Sequence, residues 1–447
     1  MRREDVVTND KRYVWHPYTE MGHYRAHTDP LVIDRAEGVY LYDQEGRRWI
    51  DGNSSWWTVG LGHGHPRLVA ALEKQLRKMP HVALAGTTHE PCAMLAKELV
   101  ESTPAFLEHV FYTDNGSTAV EAAVKMALQY WQQNGSPAKT RLLALDGAFH
   151  GDTIGMTSLG GVEVFRKPFA SVLFDCFHAP VDAQGFERAF AEMEGHIRRE
   201  HASIAAVVLE PLLQGAAGMR MYSASVLRSL VETCKAHDVF VIFDEVFTGY
   251  GRTGKMWATD HLKAGDSANE VISPDFLCIG KTFASYLPMA AVLTTERVFS
   301  GFLGDRTRAF FYGHTFAGNP LGAALAREVL QIYRDEQILE GLGPKMSLLH
   351  SMAEELRARY GIQTRQLGMV LAADLASSGL GSSMADSQDA TGYLGDLGWK
   401  FYERALKEGA YLRPLGNTVY MAPPLVISME ELGELTQIFT RAIGETL

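Results

Sequence analysis

Short apolar runs recur through the middle of the chain, and segments with helical spacing of apolar residues separate them. Polar residues typical of turns bound each run. Continuous apolar runs of this kind predict strands buried on both faces, as in a largely parallel sheet covered by helices. The predicted strands are 110–112, 141–145, 205–209, 239–243, 276–279 and 290–293.

The segments around these runs predict further local elements. Residues 39–42 and 48–50 are expected to form a hairpin that turns at 44–46. A helix is predicted over 66–79, with a proline at its first position, where a missing N–H costs little. The pattern over 119–132 predicts a second helix.

The C-terminal part of the chain has a different organisation. Helical spacing extends from Gly318 to Tyr360, and a Gly/Ser-rich loop follows at 376–388. A helix from Gly392 to Gly409 and a short strand pair around Arg413 and Tyr420 are also expected. This mixture of elements indicates a second, smaller α+β domain.

The predicted fold class is therefore α/β, with a large domain and an added lobe built from both chain ends. We predict that residues 1–65 contribute to the small domain, that 66–325 form the large domain, and that 326–447 complete the small one. A chain of 447 residues is long enough for this arrangement.

Composition excludes several classes of protein. The net charge of -11 argues against a nucleic-acid binder, whose surface would be basic. The four cysteines form no CxxC pair, so neither a disulfide framework nor a thiolate metal site is indicated. The basic start of the chain precedes no apolar run, and no apolar stretch reaches the roughly 20 residues of a membrane span. We expect a cytoplasmic protein without membrane or metal sites.

Three local motifs resemble ligand sites but lack the required context. The run Gly249-Tyr-Gly-Arg-Thr-Gly254 matches GxGxxG, yet no helical pattern opens within it, as a dinucleotide site requires. Gly280-Lys-Thr282 resembles the end of a P-loop, but position 275 is Asp where that motif has Gly. The histidines in His63-Gly-His65 have no second ligand cluster, so turn residues are the simpler interpretation.

The candidate functional residues lie at the ends of the predicted strands. Gly116 and Ser117 open the helix after strand 110–112, where free N–H groups and the helix dipole favour phosphate; an ordinary N-cap is the alternative. Asp244 ends a buried strand and needs a cationic partner, either a pyridinium nitrogen or a structural arginine. Lys281 follows the next strand and could form a Schiff base, although a lone lysine is more often a surface residue.

Together these three features are the handles that a pyridoxal 5'-phosphate (PLP) site requires. At these positions the chain resembles the class-III aminotransferases, whose fold is the fold-type-I PLP-dependent transferase. Nearly the whole chain takes part, in the runs 114–123 (DNGSTAVEAA), 149–153 (FHGDT), 243–254 (FDEVFTGYGRTG), 279–281 (IGK) and 313–320 (GHTFAGNP). Other runs resemble the branch that acts in biotin biosynthesis, namely 15–19 (WHPYT), 54–57 (SSWW), 126–131 (MALQYW) and 413–417 (RPLGN).

The resemblance implies a role for each cofactor residue. Lys281 is expected to hold PLP and to move the proton during catalysis, and Asp244 to keep the ring nitrogen protonated. Gly116 and Ser117 are expected to bind the phosphate. Phe149 is expected to lie against the cofactor ring and to border the substrate.

The resemblance further implies a homodimer with active sites at its interface. Thr315 is expected to reach the phosphate in the other subunit, with His314 beside the cofactor and Gly313 beside the substrate. Tyr18 and Trp56 are expected to wall the substrate pocket, with core aromatics as the alternative role. Arg413 is expected to bind the remote carboxylate of a keto acid, a bidentate task that suits a guanidinium.

Four features depart from the expected pattern. Phe149 replaces the Tyr that many members of the branch carry, and Ala284-Ser285 replaces a Gly-Gly turn. Phe247 stands where relatives that use ornithine or γ-aminobutyrate carry Gln, which weakens that assignment. His314 stands where members that use S-adenosylmethionine commonly carry Pro.

The expected reaction is transamination of 8-amino-7-oxononanoate to 7,8-diaminononanoate. S-adenosylmethionine is the favoured amino donor, and lysine is the alternative. A broad aminotransferase for ω-amino acids or polyamines would share every cofactor residue and differ only in the pocket. A PLP-dependent mutase or decarboxylase, a nicotinamide oxidoreductase and a non-catalytic binding protein remain as alternatives of other kinds.

Overall fold

The structure is a computed structural model that describes residues 2–103, 106–181, 185–262, 272–375 and 394–447. Its strands are β1 (Arg35–Glu37), β2 (Tyr40–Tyr42), β3 (Arg48–Asp51), β4 (His109–Thr113), β5 (Arg141–Leu145), β6 (Phe177–Ala179), β7 (Ile204–Leu209), β8 (Leu213–Gln214), β9 (Arg220–Met221), β10 (Phe240–Asp244), β11 (Phe276–Ile279), β12 (Ala290–Thr294), β13 (Thr364–Leu367), β14 (Val370–Asp374), β15 (Ala410–Tyr411) and β16 (Thr418–Met421). Its helices are α1 (Arg3–Tyr13), α2 (Met21–His27), α3 (Ser54–Trp57), α4 (Pro66–Lys78), α5 (Glu90–Ser102), α6 (Gly116–Gln133), α7 (Ile154–Leu159), α8 (Glu163–Arg166), α9 (Gly185–Glu200), α10 (Ala224–Ala236), α11 (Glu296–Ser300), α12 (Pro320–Asp335), α13 (Leu342–Tyr360), α14 (Leu397–Lys407) and α15 (Met429–Thr446).

A seven-stranded sheet forms the centre of the large domain, in the order β4-β12-β11-β10-β7-β5-β6. Strand β12 is antiparallel to both of its neighbours, and the remaining pairs are parallel. Every residue of β7, β10 and β11 is buried, as the continuous apolar runs predict. The predicted α/β class with a mostly parallel sheet is confirmed, and its carboxyl edge is where ligands bind in such folds.

The two chain ends meet in a smaller sheet. The predicted hairpin is confirmed as β2 and β3, and β15 from the C-terminal part pairs with β3 in parallel. This pairing supports a small domain built from both ends, and the boundaries at 65 and 325 stay a prediction.

The predicted pairing of strands around Arg413 and Tyr420 is wrong. The strand near Arg413, β15, joins the N-terminal hairpin, whereas β16 pairs with β14 in a separate three-stranded sheet. The connection 412–417 carries the chain from one sheet to the other and turns at an antiparallel bridge between Leu415 and Thr418, but β15 and β16 do not pair with each other.

Helix boundaries differ from the expected ones at two sites. Helix α6 begins at Gly116, three residues before the predicted start, because Asn115 caps it and Thr118 returns the capping bond. Helix α14 begins at Leu397, whereas the prediction began it at Gly392, which lies outside the described residues together with the predicted loop at 376–388. Among the described helices, none is long and apolar enough to cross a membrane.

Candidate active site

A cavity of about 630 Å³ opens at the carboxyl edge of the seven-stranded sheet. Five strand ends contribute to it, because β4, β5, β7, β10 and β11 all run in the same direction. The cavity brings together most of the residues predicted from the sequence. Among its lining residues are Tyr18, Trp56, Gly116, Ser117, Phe149, Asp244 and Lys281.

Lys281 lies two residues after the end of β11 and points its amine into this cavity. Its Nζ is 4.4 Å from the ring centre of Trp57 and 5.6 Å from that of Phe247. Burial lowers the pKa of the amine to about 8, against the opposing influence of Asp244 and Glu210. A lysine with this pKa has a substantial neutral, nucleophilic fraction at physiological pH. Its φ of 52° is unusual for a lysine, as is common where function fixes a residue.

Asp244 is the last residue of β10, the strand next to β11. Its Oδ2 is 2.8 Å from Nδ1 of His150, and its Oδ1 accepts the backbone N–H of Val246 at 3.1 Å. The side chains of Asp244 and His150 are both buried. The carboxylate is therefore held at the cavity wall, within the same space as the Lys281 amine.

The start of α6 forms a cradle at the same cavity as these two residues. Asn115 accepts the N–H of Thr118. The N–H groups of Gly116 and Ser117, which both line the cavity, have no partner within the helix. A Cβ on Gly116 would lie 2.7 Å from Cγ1 of Val246, so a larger residue would not fit there. The positive helix end and free donors suit a phosphate group.

The buried carboxyl group of Glu210 binds the backbone N–H of Phe149. The backbone N–H of Phe149 donates to Oε1 of Glu210 at 3.1 Å, and that of Gly215 donates to Oε2 at 2.9 Å. Burial raises the pKa of Glu210 to about 7. The loop that carries Phe149 is thus fixed against the strand end at β7.

The outer wall of the cavity is aromatic and unusually shaped. All four residues of α3 have positive φ angles between 45° and 71°, so this segment is a left-handed turn. Such a backbone costs roughly 1–2 kcal/mol per residue, and local bonds must offset it. Ser54 donates to the carbonyl of Ala422 at 2.6 Å, and Ser55 donates to Asp51 at 2.7 Å. The turn presents Trp56 and Trp57 side by side to the cavity.

Tyr18 lies against Trp56, with ring centres 5.5 Å apart, and donates its hydroxyl hydrogen to Asp152 at 2.5 Å. Tyr18 is 38% exposed and Trp56 40%, so neither is a core aromatic. Both residues line the cavity, and their role as walls of a substrate pocket stays a prediction.

Other predicted residues lie outside the cavity lining. Arg413 lies behind Trp56, with Cζ 4.9 Å from its ring centre. Gly313, His314 and Thr315 are exposed on the segment before α12. Nδ1 of His314 is 3.8 Å from Oδ2 of Asp114, which does line the cavity.

Two of the positions that depart from the family pattern, Ser285 and Phe247, lie beside Lys281. Ser285 stands where a Gly-Gly turn is expected, and it keeps a positive φ of 48°. Its hydroxyl is buried, lines the cavity wall and has no hydrogen-bond partner among the described residues. Phe247 packs on Trp57 with ring centres 4.2 Å apart, which closes the space beside the lysine with hydrocarbon.

Glu210 and His150 belong to the site but were not predicted from the sequence, and only Glu210 had a signal there. Glu210 directly follows the apolar run 205–209, the same placement that identified Asp244. His150 lies within the run 149–153 but carries no distinctive spacing of its own. The glycine-rich segment 249–254 forms turns and opens no helix, which removes the basis for a nicotinamide site there.

The residues present fit PLP on chemical grounds. A buried amine with a lowered pKa, a carboxylate on the neighbouring strand and a helix N-terminus with small residues all face one cavity. Lys281 would bind the aldehyde carbon, Asp244 the ring nitrogen, and Gly116 with Ser117 the phosphate.

Comparisons with known proteins agree with this geometry. The profile of the family described as aminotransferase class-III matches residues 23–443. The adenosylmethionine-8-amino-7-oxononanoate aminotransferase of Geobacter sulfurreducens is 36% identical, over 97% of this chain and 96% of that protein. The one from Methanocaldococcus jannaschii is 34% identical, and its crystal structure has a TM-score of 0.92 over 99% of both chains.

Solved structures of amine-converting relatives are also similar. A thermostable omega transaminase 6-fold mutant from Pseudomonas jessenii has a TM-score of 0.89 and 29% identity, over 99% of this chain and 98% of that one. The omega transaminase from Pseudomonas jessenii has been solved in complex with PMP, with a TM-score of 0.88 and 29% identity.

Proposed function

Because the chain belongs to the class-III aminotransferases, we propose that it transfers an amino group to 8-amino-7-oxononanoate in a PLP-dependent reaction of biotin biosynthesis. The product is 7,8-diaminononanoate. The observation that carries the proposal is the convergence of Lys281, Asp244 and the Gly116-Ser117 cradle on one cavity. The curated relatives, which carry the corresponding name at 32–38% identity over nearly the whole chain, support the choice of substrate.

PLP, when bound, withdraws electrons from the carbon that loses or gains nitrogen. Asp244 would keep a proton on the ring nitrogen, and the contact with His150 fixes the carboxylate for that task. Lys281 would hold the cofactor through Nζ, and the same amine, with a pKa of about 8, would accept and donate the proton at the reacting carbon of the substrate. Trp57 and Phe247 exclude water from the amine.

Arg413 supports a keto acid whose carboxylate is remote from the reacting ketone. The guanidinium lies beyond Trp56 and forms no ion pair with any described residue. A long aliphatic acid can therefore run from the cavity past Trp56 and place its carboxylate on Arg413, since arginine binds a carboxylate through two parallel hydrogen bonds.

S-adenosylmethionine is the proposed amino donor, on the strength of the relatives' names. Purified enzyme with PLP is mixed separately with S-adenosylmethionine, lysine, β-alanine and putrescine, and the violet absorbance of the bound cofactor is followed. S-adenosylmethionine alone is expected to bleach the band. Bleaching by lysine instead would identify lysine as the amino donor, and the proposed acceptor would stay the same.

A broad ω-amine aminotransferase is the second candidate, favoured by the similarity to the omega transaminase structures. Such an enzyme would bleach with β-alanine or putrescine and would pass the amino group to pyruvate. The same experiment, followed by addition of pyruvate or 8-amino-7-oxononanoate, separates the two functions.

The proposed enzyme is a cytoplasmic homodimer with active sites at the subunit interface. Two strongly exposed side chains, Phe311 at 81% and Phe316 at 58%, flank the segment 313–315. Exposed aromatic residues on one short segment are typical of a surface that another chain covers. In the proposed dimer, Thr315 of the partner subunit completes the phosphate cradle.

A further inference from the structure

Two indole rings contact the guanidinium of Arg413. Its Cζ is 4.9 Å from the ring centre of Trp56 and 5.7 Å from that of Trp399. Trp56 belongs to the left-handed turn at the cavity mouth, whereas Trp399 belongs to α14 in the C-terminal part of the chain. Two separate elements therefore converge on one positive charge.

Trp399 is not placed there by burial in a core. It is 43% exposed, nearly the same as the 40% of Trp56. Its ring centre is 5.5 Å from that of Tyr402, whose ring centre is in turn 5.9 Å from that of Tyr411, so Trp399 is braced from behind. A ring that is partly exposed and held in place on one side keeps its other contact, the one with the Arg413 guanidinium, in a fixed position.

Close packing holds α14 against the segment that carries Arg413. A Cβ on Gly398 would overlap the carbonyl oxygen of Gly416 and lie 2.7 Å from Cβ of Pro414. The N–H of Leu397 donates to Oδ1 of Asn417 at 3.2 Å. The position of Trp399 relative to Arg413 is therefore fixed by neighbours of both residues.

We propose that Trp399 is a positioning residue that holds the Arg413 guanidinium for the remote carboxylate of the substrate. This inference rests on the proposed function. A free arginine side chain loses much rotamer freedom when it binds, and prior fixation by two rings removes part of that loss. Cation–π attraction to each ring fixes the plane of the guanidinium while its N–H edge stays available.

The test uses the PLP-loaded enzyme and three variants at this position, Trp399→Ala, Trp399→Leu and Trp399→Phe. Nonanoate serves as a non-reacting carboxylate probe, and its Kd is measured by calorimetry alongside KM for the keto acid and for the donor. We expect Trp399→Ala and Trp399→Leu to weaken nonanoate binding and raise the keto-acid KM about three- to tenfold. The kcat and the donor KM should stay unchanged, and Trp399→Phe should recover most of the affinity.

Lys400→Ala, an exposed substitution on the same helix, is the matched control and should leave all values unchanged. Thermal melts identify any variant that fails to fold, and Trp399→Leu keeps the test decisive if Trp399→Ala does not fold. Wild-type nonanoate affinity in a folded Trp399→Ala or Trp399→Leu variant would overturn the inference.

Arg413→Ala separates this inference from the function on which it rests. If Arg413→Ala weakens nonanoate binding and the Trp399 variants do not, Trp399 has no positioning role and the proposed substrate stands. If Arg413→Ala also binds nonanoate normally, the carboxylate lies elsewhere and both the inference and the proposed substrate contact are wrong.

Discussion

At the scale of single residues, the ionisation of Lys281 is a balance between burial and two nearby carboxyl groups. Burial lowers its pKa to about 8, and the charges of Asp244 and Glu210 act in the opposite direction. The amine must be neutral to attack the PLP aldehyde. Association of PLP with cofactor-free enzyme should therefore accelerate as the pH rises through about 8 and then level off.

Glu210→Gln tests this balance. Loss of the carboxylate removes an influence that raises the pKa of Lys281, so the midpoint of the association rate should move to lower pH. Stopped-flow absorbance over a pH series measures it. Asp152→Asn is the matched control, because Asp152 lines the same cavity but does not shift the lysine pKa. A midpoint that moves upward, or equally in both variants, would contradict the assignment.

Sequence reasoning identified Lys281 and Asp244 because strand ends and apolar runs are local patterns. It passed over Glu210, which follows an apolar run as Asp244 does, and it did not identify His150, whose importance depends on a hydrogen bond to a distant part of the chain. The placement of Arg413 beside two tryptophans is of the same kind. Local spacing contains no information about such contacts.

At the scale of elements, the start of α6 combines a helix cap with the proposed phosphate cradle. Asn115→Ala should lower the free energy of unfolding by about 1 kcal/mol, because the cap is lost. It should also weaken PLP binding, since the first N–H groups lose their fixed orientation. Denaturant melts of the cofactor-free enzyme and a PLP titration measure the two effects.

Asn134→Ala provides the comparison at the opposite end of the helix. Asn134 donates to the carbonyls of Tyr130 and Gly301, at 2.8 and 3.2 Å, and lies far from the cradle along α6. Loss of the Asn134 side chain should lower the free energy of unfolding without changing the PLP affinity. Equal PLP affinities in Asn115→Ala and the wild type would show that the cap does not organise the cradle.

Elements with strong local patterns were predictable, and those that depend on distant partners were not. The strands of the central sheet follow from continuous apolar runs, and the hairpin follows from its turn. Strand β15 has only two residues and forms because β3, more than 350 residues earlier, lies beside it. Strand β13 is half-buried throughout, so it lacks both the alternation and the apolar run that signal a strand.

At the scale of the whole molecule, the proposed dimer predicts complementation between defective subunits. A mixed dimer of Lys281→Ala and Thr315→Ala subunits contains one site with both residues intact, provided that Thr315 acts across the interface. Refolded mixtures should therefore regain activity up to about a quarter of the wild-type value, although each variant alone is nearly inactive. No recovery in mixtures shown to exchange subunits would place Thr315 in its own subunit's site or outside any site.

The central claim is that this site moves an amino group onto 8-amino-7-oxononanoate with Lys281 as the essential base. A single-turnover experiment tests it most directly. Enzyme in its aminated cofactor form is mixed with one equivalent of the keto acid, and absorbance and product mass are followed together. We expect the violet band to return at the rate at which 7,8-diaminononanoate appears, and folded Lys281→Ala to show neither. A stable aminated form with no diamine product, or full conversion by Lys281→Ala, would contradict the account.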